Sequence, residues 1–258
     1  MITALLASPV EQFQVIPYFG LVTLGNVDFS YSNVVWVLLL LLLTLANISL
    51  LLGKRSNISE SKVVQNNWQR MITKVGTFVN DMSQDTIGSE GRRYVNIILG
   101  LFVFVLLLNI LGMIPYSFAI TSQIVVTLWI SWGVWLGSLT IGFINYGINF
   151  FSMFMPSGAP LALAPFLILI ELLSYVARGI SLGVRLAANI TSGHILLTII
   201  ATFIFKMLNI GGIFIPLAFL TFALLFVLTI LEMAIGAIQA YVLGLLVTIY
   251  LNDSVHLH

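Results

Sequence analysis

Apolar runs long enough to cross a lipid bilayer recur along this chain, and no other feature restricts its fold as severely. The first covers residues 33–53, with Val34-Val35-Trp36-Val37-Leu38 near its start and leucines continuing through Leu43. About twenty apolar residues suffice to span a hydrocarbon core of roughly 30 Å. A second run covers 94–115, a third about 118–144, and two more cover 165–205 and 213–251. Charge is correspondingly scarce. Only 7% of residues are charged, against about 25% in a soluble domain, whose surface must be wetted. The expectation is an all-α polytopic membrane protein with five membrane-crossing helices, and soluble enzyme folds are excluded. There is no cysteine, so disulfides and thiolate metal sites are excluded. A net charge of +1 gives no sign of a nucleic-acid partner.

The chain divides into an N-terminal segment (1–32), a first transmembrane helix (33–53), a polar loop (54–93) and a core with four further crossings (94–258). In the loop, Val64, Trp68, Ile72, Val75, Phe78 and Met82 recur every three or four residues, with Asn67, Gln69, Thr73, Lys74 and Asn80 on the other sides. That is an amphipathic helix, suited to the membrane interface or to a partner surface. Lys54, Arg55, Lys62, Arg70, Lys74, Arg92 and Arg93 also fall here, most of the ten Lys and Arg. The positive-inside rule puts this loop inside and the N-terminus outside. No Lys or Arg precedes Lys54, so neither an Arg-rich presequence nor a secretory signal is expected. In the third run, Gly133 and Gly137 make a small-xxx-small pattern, for which helix packing is the simplest reading.

The last two runs would each be about 60 Å long as single helices, twice what a crossing needs. Either they break, at Gly179, Gly183 or Gly236, or they tilt steeply. Lys206, Asn209, Gly211 and Gly212 lie between them, which predicts a helical hairpin with the C-terminus inside. The polar residues of the first arm are Glu171, Ser174, Arg178, Ser181, Arg185, Asn189 and Ser192. At about 100° per residue all seven fall within roughly 80° of arc, a narrow hydrophilic stripe on an apolar rod.

Arg185 stands at the middle of its run, where an arginine costs about 2.5–3.5 kcal/mol on insertion scales and cannot escape by deprotonation. Glu171 is about 21 Å away along the helix, too far to pair with it. A carboxylate supplied by another subunit is therefore expected. Arg178 is one helical repeat from Glu171, so a local ion pair is the simpler reading there. On the second arm Glu232 and Gln239 share a face, and Glu232 is placed to take up and release protons. His194 lies opposite the stripe, where it is either a proton relay or an interhelical hydrogen-bonding contact. Asp253 ends the second arm.

The run from Glu171 through Arg178, Arg185 and Asn189 to His194, with Glu232–Gln239, Ala240-Tyr241-Val242, Leu257-His258 and the Ser8-Pro9 and Gln12-Phe13 start, closely resembles subunit a of the ATP synthases. The resemblance covers nearly the whole chain and looks mitochondrial and fungal-like, because His194 and Glu232 stand where bacterial members typically have Glu and His. It implies tilted long helices that wrap a rotor ring of hairpin subunits, each with one carboxylate. It further implies that Arg185 is the essential arginine, that His194 and Glu232 belong to an outer half-channel, and that Glu171 and Asp253 belong to an inner one. Asn189, Gln239, Arg178 and Ser181 are expected as supporting polar groups, the first two holding the Arg185 guanidinium. Partners would be the rotor ring, the peripheral stalk and other membrane-sector subunits, with lipid as solvent and protons as cargo. No cofactor and no metal are expected, and ATP chemistry would belong to other subunits. The location implied is the mitochondrial inner membrane, N-terminus in the intermembrane space and C-terminus in the matrix, with trimming near Ala7-Ser8. A secondary transporter is the main rival, but such folds show paired internal repeats and the stripe has no counterpart elsewhere in the chain. A purely structural scaffold leaves the central arginine without a reason.

Overall fold

The computed structural model describes residues 11–24, 27–56, 67–113, 118–148, 150, 164–212 and 214–255. The expected trimming site at Ala7-Ser8 and the end Leu257-His258 lie outside them. The body is the expected all-α membrane architecture: α1 (Asn33–Ser56), α2 (Asn67–Ile87), α3 (Val95–Gly112), α4 (Ile124–Tyr146), α5 (Ala164–Ile210) and α6 (Phe214–Val255). Four of these, α3 to α6, are long and apolar enough to cross a bilayer, and α1 adds an apolar stretch over Asn33–Asn47. Large apolar side chains stand exposed along them, as in Trp129 (74%), Ile144 (82%) and Phe219 (75%). Water would penalise such a surface, whereas lipid does not.

Ahead of the helices is a two-stranded antiparallel hairpin that the N-terminal segment was not expected to form. Its strands are β1 (Pro17–Leu24) and β2 (Val27–Ser32), with Pro17 opposite Ser32 and Leu24 opposite Val27. Asn33 ties its base. The Asn33 Oδ1 accepts from the backbone N–H of Val34 at 3.0 Å and of Ile16 at 3.3 Å, and its Nδ2 donates to the Gln14 carbonyl at 3.1 Å. The Asn oxygen thus satisfies the Val34 amide, one of those that the first turn of α1 leaves open.

The two long runs are unbroken helices of 47 and 42 residues. Gly179, Gly183 and Gly236 are contact points, not breaks. A Cβ on Gly179 would lie 3.2 Å from the Trp135 ring, and one on Gly183 would lie 2.9 Å from the Thr127 carbonyl and 3.0 Å from Leu128 Cα. These glycines let α5 approach α4 closely. Gly133 and Gly137, the pair expected to pack, have nothing within 4 Å of an added Cβ. The turn between α5 and α6 carries Gly211 and Gly212 at φ 73° and 60°, the left-handed region that glycine enters freely. The third run also begins later than hydropathy suggests. Phe118 to Ser122 is buried but ends in a short 3-10 turn, and α4 starts only at Ile124.

The chain forms two compact units. One comprises the described residues of Met1–Thr44, Leu106–Ile124 and Leu186–Gln239; the other comprises those of Leu45–Val105, Val125–Arg185 and Ala240–His258. In the second unit, α2 presents Val79, Met82 and Ser83 inward. Its Phe78 ring packs against Phe102 and Tyr241, and Gly244 of α6 leaves room for the Met82 methyl. The amphipathic helix thus has its partners inside the chain, although Phe78 itself remains half exposed.

Candidate functional site

In the first unit the site is built where Gly193 of α5 lies against Glu232 of α6. Glu232 is 5% exposed, and among the described residues neither carboxylate oxygen has a hydrogen-bond partner. Its side chain lies against Gly193: a Cβ there would sit 2.6 Å from Glu232 Cδ. A side chain there would require the Glu232 carboxylate to move. A groove of about 360 Å³ opens beside it, lined by Asn189, Ser192, Gly193, Leu196, Glu232 and Ile235. A buried acid without hydrogen-bond partners costs stability, which marks Glu232 at the groove wall as a candidate functional residue.

Around this acid the amides are arranged in order. Asn189 Nδ2 donates to Gln239 Oε1 at 3.2 Å, joining the polar stripe of α5 to the Glu232 helix. Gln239 is buried, and its Nε2 has no partner among the described residues. The two amides were expected to hold the Arg185 guanidinium; the structure bonds them to each other. Asn109 of α3, buried at 2% exposure, donates through Nδ2 to the Gly236 carbonyl at 2.9 Å, one turn from Glu232. The sequence reading passed over Asn109, although a lone amide in an apolar crossing is a signal in its own right. His194 does not line the groove, in keeping with its place opposite the stripe. Its Nε2 is buried without a partner among the described residues, and its ring meets Phe13 edge-on.

In the second unit the charges are gathered around Arg178. Its guanidinium reaches Glu171 at 3.4 Å and Asp253 at 3.9 Å, so both expected inner carboxylates converge on one arginine. Tyr175, one turn before Arg178, lies 3.5 Å from the Ser138 hydroxyl and stacks edge-on with Tyr250. The Tyr146 hydroxyl donates to the Val255 carbonyl, which fixes the end of α6 that carries Asp253. Ser181 and Ser192, the stripe's hydroxyls, donate back to carbonyls of their own helix, to Arg178 at 3.0 Å and Asn189 at 3.2 Å. They satisfy α5 itself.

Arg185 differs from all of these. It is exposed, and among the described residues it has no ion pair or hydrogen bond. Its neighbours on the exposed side, Ile180 and Val184, are apolar. An exposed arginine flanked by exposed apolar side chains, while Glu171 and Asp253 are engaged at Arg178, keeps its charge free of ion pairs among the described residues.

Known proteins resemble this chain over nearly its whole length. The family model described as ATP synthase A chain matches residues 34–252. The chain is 40% identical to the ATP synthase subunit a of Marchantia polymorpha over 97% of its length and 99% of the relative's. It is 41% identical to that of Rhodospirillum rubrum over 97% and 99%, and 38% identical to that of the fungus Trichophyton rubrum over 97% and 97%.

Proposed function

The chain belongs to the ATP synthase A chain family, a membrane-bound component of the proton-translocating sector of that enzyme, and from this premise we propose that protons cross it through two offset half-channels that meet only at a rotor carboxylate. The outer path runs by His194 and Glu232, the inner by Glu171 and Asp253. A proton that enters by the outer path neutralises a carboxylate of the rotor ring, which can then turn into lipid. A carboxylate that arrives from the other side meets Arg185, whose charge favours its ionised form and releases the proton inward. The same fixed charge, which cannot be lost, repels protons and prevents a direct leak. A proton crossing about 100 mV contributes roughly 2.3 kcal/mol. The subunit works in the mitochondrial inner membrane with its C-terminus in the matrix, against the rotor ring and the peripheral stalk.

The observation that carries this reading is the contrast between two arginines on one helix. Arg178 has two carboxylates of its own chain, whereas Arg185 has none among the described residues and faces outward. Its counter-ion is to be found on a partner.

ATP-driven proton uptake in membrane vesicles with assembled enzyme tests the proposal. Arg185→Gln abolishes uptake and Arg178→Gln leaves a substantial part. Uptake that survives Arg185→Gln in an assembled complex rules out the charge-barrier role.

A further inference from the structure

The short turn Glu11–Phe13 precedes every helix, yet it reaches α5 at the level of His194. A single 3-10 turn does not hold its own place, and this one is held from outside. Gln123 Nε2 donates to the Phe13 carbonyl at 2.7 Å. Thr198 Oγ1 shares its proton between Gln12 Oε1 at 3.1 Å and the His194 carbonyl at 2.7 Å. On the other side, Asn33 takes the Gln14 carbonyl and the Ile16 amide, so residues 12–16 are fixed at both ends. The Phe13 and His194 ring centroids are 6.2 Å apart with the planes at 87°. This is an edge-to-face arrangement favoured by the ring quadrupoles.

The contact matters because of how an imidazole works. Its two nitrogens donate and accept only in the ring plane, so proton transfer depends on ring orientation before anything else. The final torsion of histidine is broad and roughly two-fold, and a hydrogen bond to one nitrogen usually sets it. His194 Nε2 has no such bond among the described residues. We propose that Phe13 is a positioning residue: held by Gln123, it fixes the plane of the His194 ring and thereby the direction in which protons pass along the outer half-channel. This rests on His194 belonging to that path.

The test measures ATP-driven proton uptake per assembled complex for His194→Ala, Phe13→Leu and Phe13→Tyr. The expected result is a severe loss for His194→Ala, a several-fold loss for Phe13→Leu and near-normal uptake for Phe13→Tyr, which keeps the ring. Full uptake in Phe13→Leu, alongside loss in His194→Ala, overturns the positioning role and leaves the half-channel intact. Full uptake in His194→Ala removes His194 from the path and the proposal with it. If Phe13→Leu does not assemble, the absence of cysteine allows a second measurement. Gln12→Cys and Thr198→Cys are bridged by a short thiol-reactive linker. Bridged enzyme with undiminished uptake supports a fixed turn, whereas uptake lost on bridging and restored on cleavage means the turn must move and overturns the proposal.

Discussion

The residue that Glu232 packs against carries no functional group: it is Gly193. With Glu232 Cδ 2.6 Å from where its Cβ would be, Gly193→Ala has to push either α6 or the carboxylate away. Overpacking of this kind costs about 1–3 kcal/mol. Gly193→Ala is expected to lower both the amount of assembled enzyme and its proton uptake. The matching control is Gly133→Ala, where a Cβ meets nothing within 4 Å. It should be neutral, or slightly stabilising through helix propensity, when retention of the subunit is followed on heating in detergent. At this scale the sequence was legible wherever helical phase was enough. The Arg178–Glu171 ion pair follows from spacing alone. Asp253 reaches Arg178 only through the return of α6, and the Asn109 bond to Gly236 joins helices that spacing cannot relate.

Among the elements, α5 shows why glycines in a long apolar run were ambiguous. A glycine inside a helix costs only about 1 kcal/mol relative to alanine, too little to break a rod held by many backbone bonds. Its value is the close approach it permits. Gly183 sits against the backbone of α4 at Thr127 and Leu128, which cannot rotate aside as a side chain can. Gly183→Leu is therefore expected to force α5 off α4 and lower the steady-state amount of the subunit several-fold on an immunoblot. Gly100→Leu on α3, where an added Cβ meets nothing within 4 Å, should be tolerated. Boundaries were less legible than existence. Hydropathy ended the first run at Gly53, but α1 runs to Ser56 through Lys54 and Arg55, because backbone hydrogen bonds continue past a charge. It also merged Phe118–Ser122 with α4, since burial and helicity look alike in an apolar stretch. The hairpin had a signal that went unread: two strand-like runs separated by Gly25-Asn26.

For the whole molecule, class and membrane character followed from composition, and the family from the run around Arg185. The division into two compact units did not, because each draws on three separate stretches of chain and every long crossing helix contributes to both. Local sequence signals cannot report such an arrangement. It bears on how the protein is made. Synthesis runs from the N-terminus, and neither unit is complete until α6 emerges: one waits for Gln239, the other for the residues after Ala240. A chain terminated after Gln239 would keep Asn109 and Glu232 together but leave Arg178 without Asp253. In pulse-chase labelling it should decay well before the full-length chain, and equal lifetimes would show that the first unit persists without the second. The nascent protein is therefore all precursor until its last turns are inserted, so the membrane must shelter its charged stripe from the emergence of α5 until α6 is in place.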